Sequence, residues 1–424
     1  SRFAPPAAPR PWQGVRDATR IGPAAPQPPS RLEHVIGPIR LPQSEDCLSV
    51  NVWTPDVSGR RPVLVFVHGG GFTAGSGGQD GYHGHRLAEA GDLVVVTLNY
   101  RLGALGFLSL AEFGEDLGRG NFGLLDTLAA LRWVREHIAA FGGDPDAVTL
   151  AGQSAGAMMT LALMSAPPAE GLFRRVILQS TPTAVAPASP GDAAAMAERY
   201  LHTLGLRPDE AHQLRTEPVE RLLAAQNDLA RRTARPLALA PPLHLVAEPG
   251  LVAADLITAV RDDAEIGRLV GYTRDEALAW SVPSELDDAA ATELAAGFGG
   301  EQVYAEARRA MSDAAPARAL AAAVTERYFA RDISRLGHGG YVYRFDWHPP
   351  GSPLGACHCI ELPFVFGTPP AWREAPMIAG AAPADLVHTT QAAWSSFARH
   401  GDPGSSWPVH REPGDVLRLD HPMH

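Results

Sequence analysis

The chain has 424 residues, 45% of them apolar and 20% charged, with a net charge of −11. A globular composition of this length can bury a large core without disulfides, and the acidic balance argues against a nucleic-acid partner, which needs clustered basic surface. All 36 basic residues are arginine, which excludes a Schiff-base lysine, a Ser-Lys dyad and a P-loop lysine. Residues 1–45 are rich in proline and arginine and read as irregular chain hugging the surface, with a short ordered piece at Trp12–Val15. Leu48–Trp53 alternates like a strand, and Val63–Val67 and Leu93–Leu98 are apolar runs of buried-strand length. Leu124, Leu128, Leu131, Val134 and Ile138 recur at helical spacing and share one face of a helix. Asp144-Pro145 should break the chain there, before a strand at Val148–Ala151 and another at Arg175–Gln179.

From Pro182 to about Asp263 the chain turns alanine-rich and reads as helical, and it returns to a strand at Arg268–Val270. A second helical stretch runs from Asp287 to about Arg335, ahead of a strand at Tyr341–Phe345. Strands alternating with helices predict an α/β fold, a mostly parallel central sheet flanked by helices. No linker separates autonomous units, so residues 1–424 are expected to form a single catalytic domain, with helical insertions at about 183–265 and 287–335. No run approaches the roughly 20 apolar residues needed to span a bilayer. Cys47, Cys357 and Cys359 make no disulfide framework, and Cys357-His358-Cys359 lacks the spacing of a zinc knuckle. They read as packing residues, and neither a metal nor a cofactor is expected. Reduced thiols suit the cytoplasm; the sequence carries no signal peptide, and secretion after processing stays open.

The sharpest chemical signal is Gly152-Gln153-Ser154-Ala155-Gly156, set between the strand ending at Ala151 and a helix-compatible run, Ala157–Met164. Strand, sharp turn and helix are what a nucleophile elbow requires: the turn lifts the Ser154 hydroxyl above the sheet edge and aims the Ala155 amide into the same space. A second element, His68-Gly69-Gly70-Gly71-Phe72, directly follows the strand Val63–Val67. Glycines there let backbone amides approach a ligand, which makes Gly70, Gly71 and Ala155 the candidate donors to an oxyanion.

With these elements the sequence resembles the type-B carboxylesterases, which include bacterial nitrobenzyl-esterase-like enzymes and are related to the cholinesterases. The matching segments begin with Glu45-Asp46-Cys47-Leu48-Ser49-Val50-Asn51-Val52-Trp53, the glycine loop, Asn99-Tyr100-Arg101-Leu102-Gly103 and Gly120-Asn121-Phe122-Gly123-Leu124-Leu125-Asp126. They continue through Phe141-Gly142-Gly143-Asp144-Pro145, the elbow, Gly271-Tyr272-Thr273-Arg274-Asp275-Glu276 and the run from His358 through Glu361 to Gly367. The resemblance implies the α/β-hydrolase fold and ester hydrolysis through an acyl-enzyme. It also implies Glu276 as the triad acid, with Asp275 the competitor, and His358 as the base. The order Ser154, Glu276, His358 is the one expected of α/β-hydrolases.

Family members open with a β-hairpin before the Arg2-Phe3-Ala4-Pro5-Pro6 segment, and this sequence starts at Ser1 without it. Ala277, Thr127 and Thr181 stand where glycine, glutamine and glycine are usual. Gln153 replaces a carboxylate, and no tryptophan between Trp12 and Cys47 could stack on a quaternary ammonium. The substrate is therefore expected to be a small neutral ester rather than a choline ester, in a pocket walled by the two helical insertions. A small-molecule ester is the expected partner, with no nucleic acid, and a monomer is the expected state. Amide or carbamate hydrolysis by the same triad is the alternative, and a non-catalytic adhesion module the remoter one.

Overall fold

A computed structural model describes residues 2–420 apart from 115–116, 261–265, 281–284 and 380–381. Among the described residues eight strands form one sheet: β1 Val50–Trp53, β2 Arg61–Val67, β3 Val94–Leu98, β4 Gly143–Gln153, β5 Arg175–Gln179, β6 Gly267–Thr273, β7 Tyr341–Phe345 and β8 Leu417–Leu419. Their spatial order is β1-β3-β2-β4-β5-β6-β7-β8. Only the β1–β3 pairing is antiparallel; the others are parallel, as the alternation of strands and helices predicted. Consecutive residues of a strand face opposite sides, so the apolar runs feed two cores. Val63, Val65 and Val67 with Leu150 and Leu178 pack on one side, and Leu64, Phe66, Val95, Ile177 and Leu269 on the other.

Helix α1, Phe122–His137, and helix α2, Ala155–Met164, cover the first side, and helix α3, Ala384–His400, covers the second through Leu386, Trp394 and Phe397. Several resemblance segments are struts for this frame. Arg101 forks onto Asp126 with two 2.7 Å bonds, fixing the chain after β3 to α1 in a buried ion pair. Asn99 Oδ1 accepts from Ser76 Oγ and Gly77 N at 2.9 Å, while its amide reaches Pro23 and Cys47 carbonyls. These bonds hold the chain beyond the glycine loop.

Three expectations need correction. Asp144-Pro145 does not end the chain's extended course: β4 begins at Gly143 and passes through it. The register explains this, because β2 steps from Arg61 to Val63 while β4 steps from Gly143 to Val148. Pro145 sits inside that bulge, where a missing N–H leaves no ladder bond unmade. Trp12–Val15 forms no element, and Trp12 and Val15 are exposed, with no apolar surface to fold against. The first insertion is helical at Pro190–Thr203 and Val219–Thr233, but residues 234–255 run irregularly where Pro236, Pro241, Pro242 and Pro249 remove backbone donors. Its expected end, 261–265, lies outside the described residues.

Candidate active site

Ser154 stands between β4 and α2, above the carboxyl end of the sheet, with φ 56° and ψ −122°. Such backbone is strained for any residue but glycine, and the surroundings enforce it. Its N–H is held by the Gln179 carbonyl of the neighbouring strand at 2.9 Å, and its carbonyl accepts from Met158 at 3.0 Å in the first turn of α2. The elbow also depends on close approach of α2 to β2. A β-carbon on Gly156 would lie 2.1 Å from the Val67 carbonyl oxygen.

The glycine loop is built with similar tightness. Gly70 has φ 114°, and a β-carbon there would meet the Ala74 carbonyl oxygen at 1.9 Å. Gln27 clamps the loop from below, accepting from Gly75 N at 2.7 Å and donating to Gly75 O at 2.9 Å. His68 stacks on Tyr100 at 4.4 Å, and burial lowers its pKa to about 4, so the ring is neutral. Among the described residues the amides of Gly70, Gly71 and Ala155 donate to no protein acceptor. They are free to meet a charge developing above Ser154.

Glu276 and His358 arrive from different elements, the turn after β6 and the loop after β7, and both are fully buried. Glu276 Oε2 lies 2.5 Å from His358 Nδ1, and Oε1 accepts from Thr273 N at 2.8 Å. Asp275 points elsewhere. Its carboxylate takes Arg318 at 2.7 Å, Arg274 at 2.8 Å and the Ala356 amide at 3.0 Å, tying this turn to the histidine loop. The His358 ring is wedged between Trp280 and Phe329, at 4.9 and 5.3 Å between centroids. Burial pulls its pKa down, but the neighbouring Cys359 sulfur and the Glu276 carboxylate outweigh burial and set it well above the ordinary value.

The structure adds two contacts that sequence reasoning missed. The Gln153 amide lies 3.2 Å from His358 Nε2 and donates to Cys359 Sγ at 3.4 Å. In the neutral ring, with Nδ1 donating to Glu276, Nε2 is left as an acceptor, the tautomer a general base requires. Glu361, three residues beyond His358, is also fully buried, and Gln179 donates to it at 3.2 Å. Burial, then the nearby Glu276 charge, pushes its pKa up to about 7. Its position in a motif was legible, but its burial was not.

The cleft over Ser154 encloses about 830 Å³, open mouth included. The first insertion contributes Val185 and the irregular stretch Leu239, Ala240 and Pro241. The second contributes Phe329, beside Trp280 from the turn after β6. The expectation of walls made by the two insertions is thus incomplete. The N-terminal segment supplies a further side through Ser30, Arg31, Leu32, Ile36 and Ile39. No proline-rich pattern signals this, because the segment reaches the cleft only by long-range packing. A separate cleft near Arg335 and His410, at the opposite end of the sheet, holds none of these groups. Among the described residues no group of three or more His, Cys, Asp or Glu is placed to hold a metal ion.

The profile described as the Carboxylesterase family matches residues 1–335. The para-nitrobenzyl esterase of Bacillus subtilis (strain 168) is 38% identical over 99% of this chain and 88% of its own. The chain is a member of the carboxylesterase family. A probable N-octanoylanthranilate hydrolase of Rhodococcus erythropolis is 37% identical to this carboxylesterase, over 97% of this chain and 89% of its own. Among solved structures, one of a PNB esterase superposes with a TM-score of 0.87 at 35% identity, covering 99% of this chain and 88% of that one. The enzyme is accordingly a carboxylic ester hydrolase with the α/β-hydrolase fold. The family match ends before His358.

Proposed function

We propose that this carboxylesterase cleaves small carboxylic esters with Ser154 as nucleophile, His358 as general base and then general acid, and Glu276 as the acid that orients it. The observation that carries the reading is the buried Glu276–His358 contact of 2.5 Å, beside a cleft that both His358 and Ser154 line. The Ser154 hydroxyl attacks the ester carbonyl as Nε2 takes its proton, and Gln153 gives up its hold on that lone pair as substrate seats. Gly70, Gly71 and Ala155 donate to the oxyanion. The imidazolium, steadied by Glu276, protonates the departing alcohol, and water then releases the acid.

Gln153 is uncharged, which supports neutral over quaternary-ammonium esters. The N-acyl compound in the name of the Rhodococcus relative makes amide cleavage the second reading. We place residues 1–424 in one catalytic domain acting as a monomer without a nucleic-acid partner, and the net charge of −11 supports the latter. Among the described residues no helix is long and apolar enough to cross a membrane. Three free buried thiols favour a reducing compartment. The test is fluorophosphonate labelling: the wild-type chain should be labelled on Ser154 and Ser154→Ala should not. Labelling of Ser154→Ala at the wild-type rate would reject the assignment.

A further inference from the structure

The cleft has a polarity that the triad does not account for. Among the described residues that line it there is no aspartate or glutamate, and the one arginine is Arg31. Arg31 is exposed at the rim and makes no hydrogen bond or ion pair among the described residues. With no carboxylate to offset it, partial burial lowers the Arg31 pKa while leaving the group a cation. An unpaired guanidinium at the rim of a cleft lined by no carboxylate is a standing attraction for an oxyanion, which its two parallel N–H donors can grip.

The wall that carries Arg31 rests on the chain that follows His358. The one-turn helix Glu33–Ile36 packs on the turn Pro376–Ile378, and Gly37 abuts the Glu374 carbonyl. Tyr82, on the same side, packs on Phe366 at 5.4 Å and Trp372 at 5.9 Å. All of these partners belong to the chain that follows His358. His358 must hand its proton to the departing alcohol, so the alcohol half of a bound ester lies toward this wall. The irregular stretch Leu239–Pro241 is left to face the acyl half.

We propose that Arg31 is a specificity residue that binds a carboxylate carried on the alcohol half of the substrate, so that esters with an anionic leaving group bind more tightly than neutral isosteres and cationic ones more weakly. The inference rests on the mechanism given under Proposed function, because only that mechanism fixes which half faces Arg31. Neutral esters remain substrates, since nothing in the bond-breaking steps needs the anion.

The experiment compares three meta-substituted phenyl acetates of similar shape, bearing carboxylate, tert-butyl or trimethylammonium groups. Each kcat/KM is divided by that ester's alkaline hydrolysis rate. In the wild type the carboxylate ester should lead, through KM, and its lead should shrink as salt rises. Arg31→Gln should lower the carboxylate-to-tert-butyl ratio by about two- to fivefold, a span set by a partly exposed charge pair. Arg31→Glu should reverse the order of carboxylate and trimethylammonium esters. Competitive inhibition by 3-hydroxybenzoate, strong at low salt in the wild type and weakened in Arg31→Gln, gives a readout independent of turnover. Equal losses for all three esters in Arg31→Gln, or no discrimination by the wild type, would overturn the proposal. Fluorophosphonate labelling of Ser154 would be unaffected by that failure, whereas failure of the labelling would reject the mechanism itself.

Discussion

Replacing Glu276 by glutamine should do more than remove a charge. Oε1 of Glu276 accepts from the Thr273 amide at 2.8 Å, and Oε2 accepts from His358 Nδ1 at 2.5 Å, in a site closed to water. A glutamine has one acceptor and one donor end. The Thr273 N–H needs the acceptor, so the amide nitrogen is left facing His358. It can donate only to a bare Nδ1, which moves the ring proton to Nε2 and disables the base. The corresponding Asp→Asn change in a serine-protease triad lowers kcat by about 10⁴, and the same tautomer argument sets ~10² to 10⁴ here. Asp275→Asn makes the contrast. Asp275 holds Arg274, Arg318 and the Ala356 amide, and both guanidinium partners are substantially exposed. Discounted for exposure, each ion pair contributes about 0.5 kcal/mol. The change should therefore cost about 1 kcal/mol of stability and less than about tenfold in kcat. The assay is kcat for one activated ester at pH 8, with urea midpoints to separate stability from chemistry. A pH profile adds a check: the acid limb of the wild-type kcat/KM should lie above the ordinary histidine value, since the Glu276 carboxylate helps to raise the His358 pKa. If Asp275→Asn proves the more damaging to kcat, or Glu276→Gln stays within tenfold of the parent, the tautomer reasoning fails.

Ser154→Ala should lower ester turnover by roughly 10⁴-fold or more with an unchanged urea midpoint, and activity above a tenth of the parent would reject it as nucleophile. Gly156→Ala forces a β-carbon to within 2.1 Å of the Val67 carbonyl and should destabilise by more than about 3 kcal/mol. Gly171→Ala, with φ 74° but open space, isolates the backbone term at about 1–2 kcal/mol. Glu361, its pKa pushed up from 4.5 to about 7, favours the fold while protonated, and that contribution is lost as pH rises through 7. Glu361→Gln should therefore gain on the wild type between pH 5 and pH 8 by on the order of 3 kcal/mol; a pH-independent difference in urea stability would count against it. His68 and His244, buried with pKa values lowered from 6.5 to about 4, act in the opposite sense. Each stabilises above pH 6.5 and loses that contribution as pH falls toward 4, so replacing His244 by phenylalanine should flatten the acid side of the stability curve.

Whatever depends on neighbours along the chain was determined by the sequence itself. Apolar runs bounded by glycine and proline set Arg175–Gln179 and Tyr341–Phe345 to the residue, and helical spacing set α1. The elbow is equally local, since a strand, Gly152 to Gly156 and a helix suffice to place Ser154 above the sheet edge. Tertiary structure decided what depends on segments far apart. Asp275 and Glu276 are adjacent carboxylates, and only the arrival of Arg318 and Ala356 at one and His358 at the other separates their roles. The Gln153 amide meets His358 Nε2 across 205 positions of sequence, a contact with no periodicity to announce it. The Pro145 bulge follows from register against β2, and β8 is a three-residue strand that gains its ladder only from β7. The proline-rich segment that holds Arg31 shows the same division: irregular backbone leaves no repeating pattern, so its place as a wall of the cleft is set by the packing of Glu33–Ile36 on Pro376–Ile378.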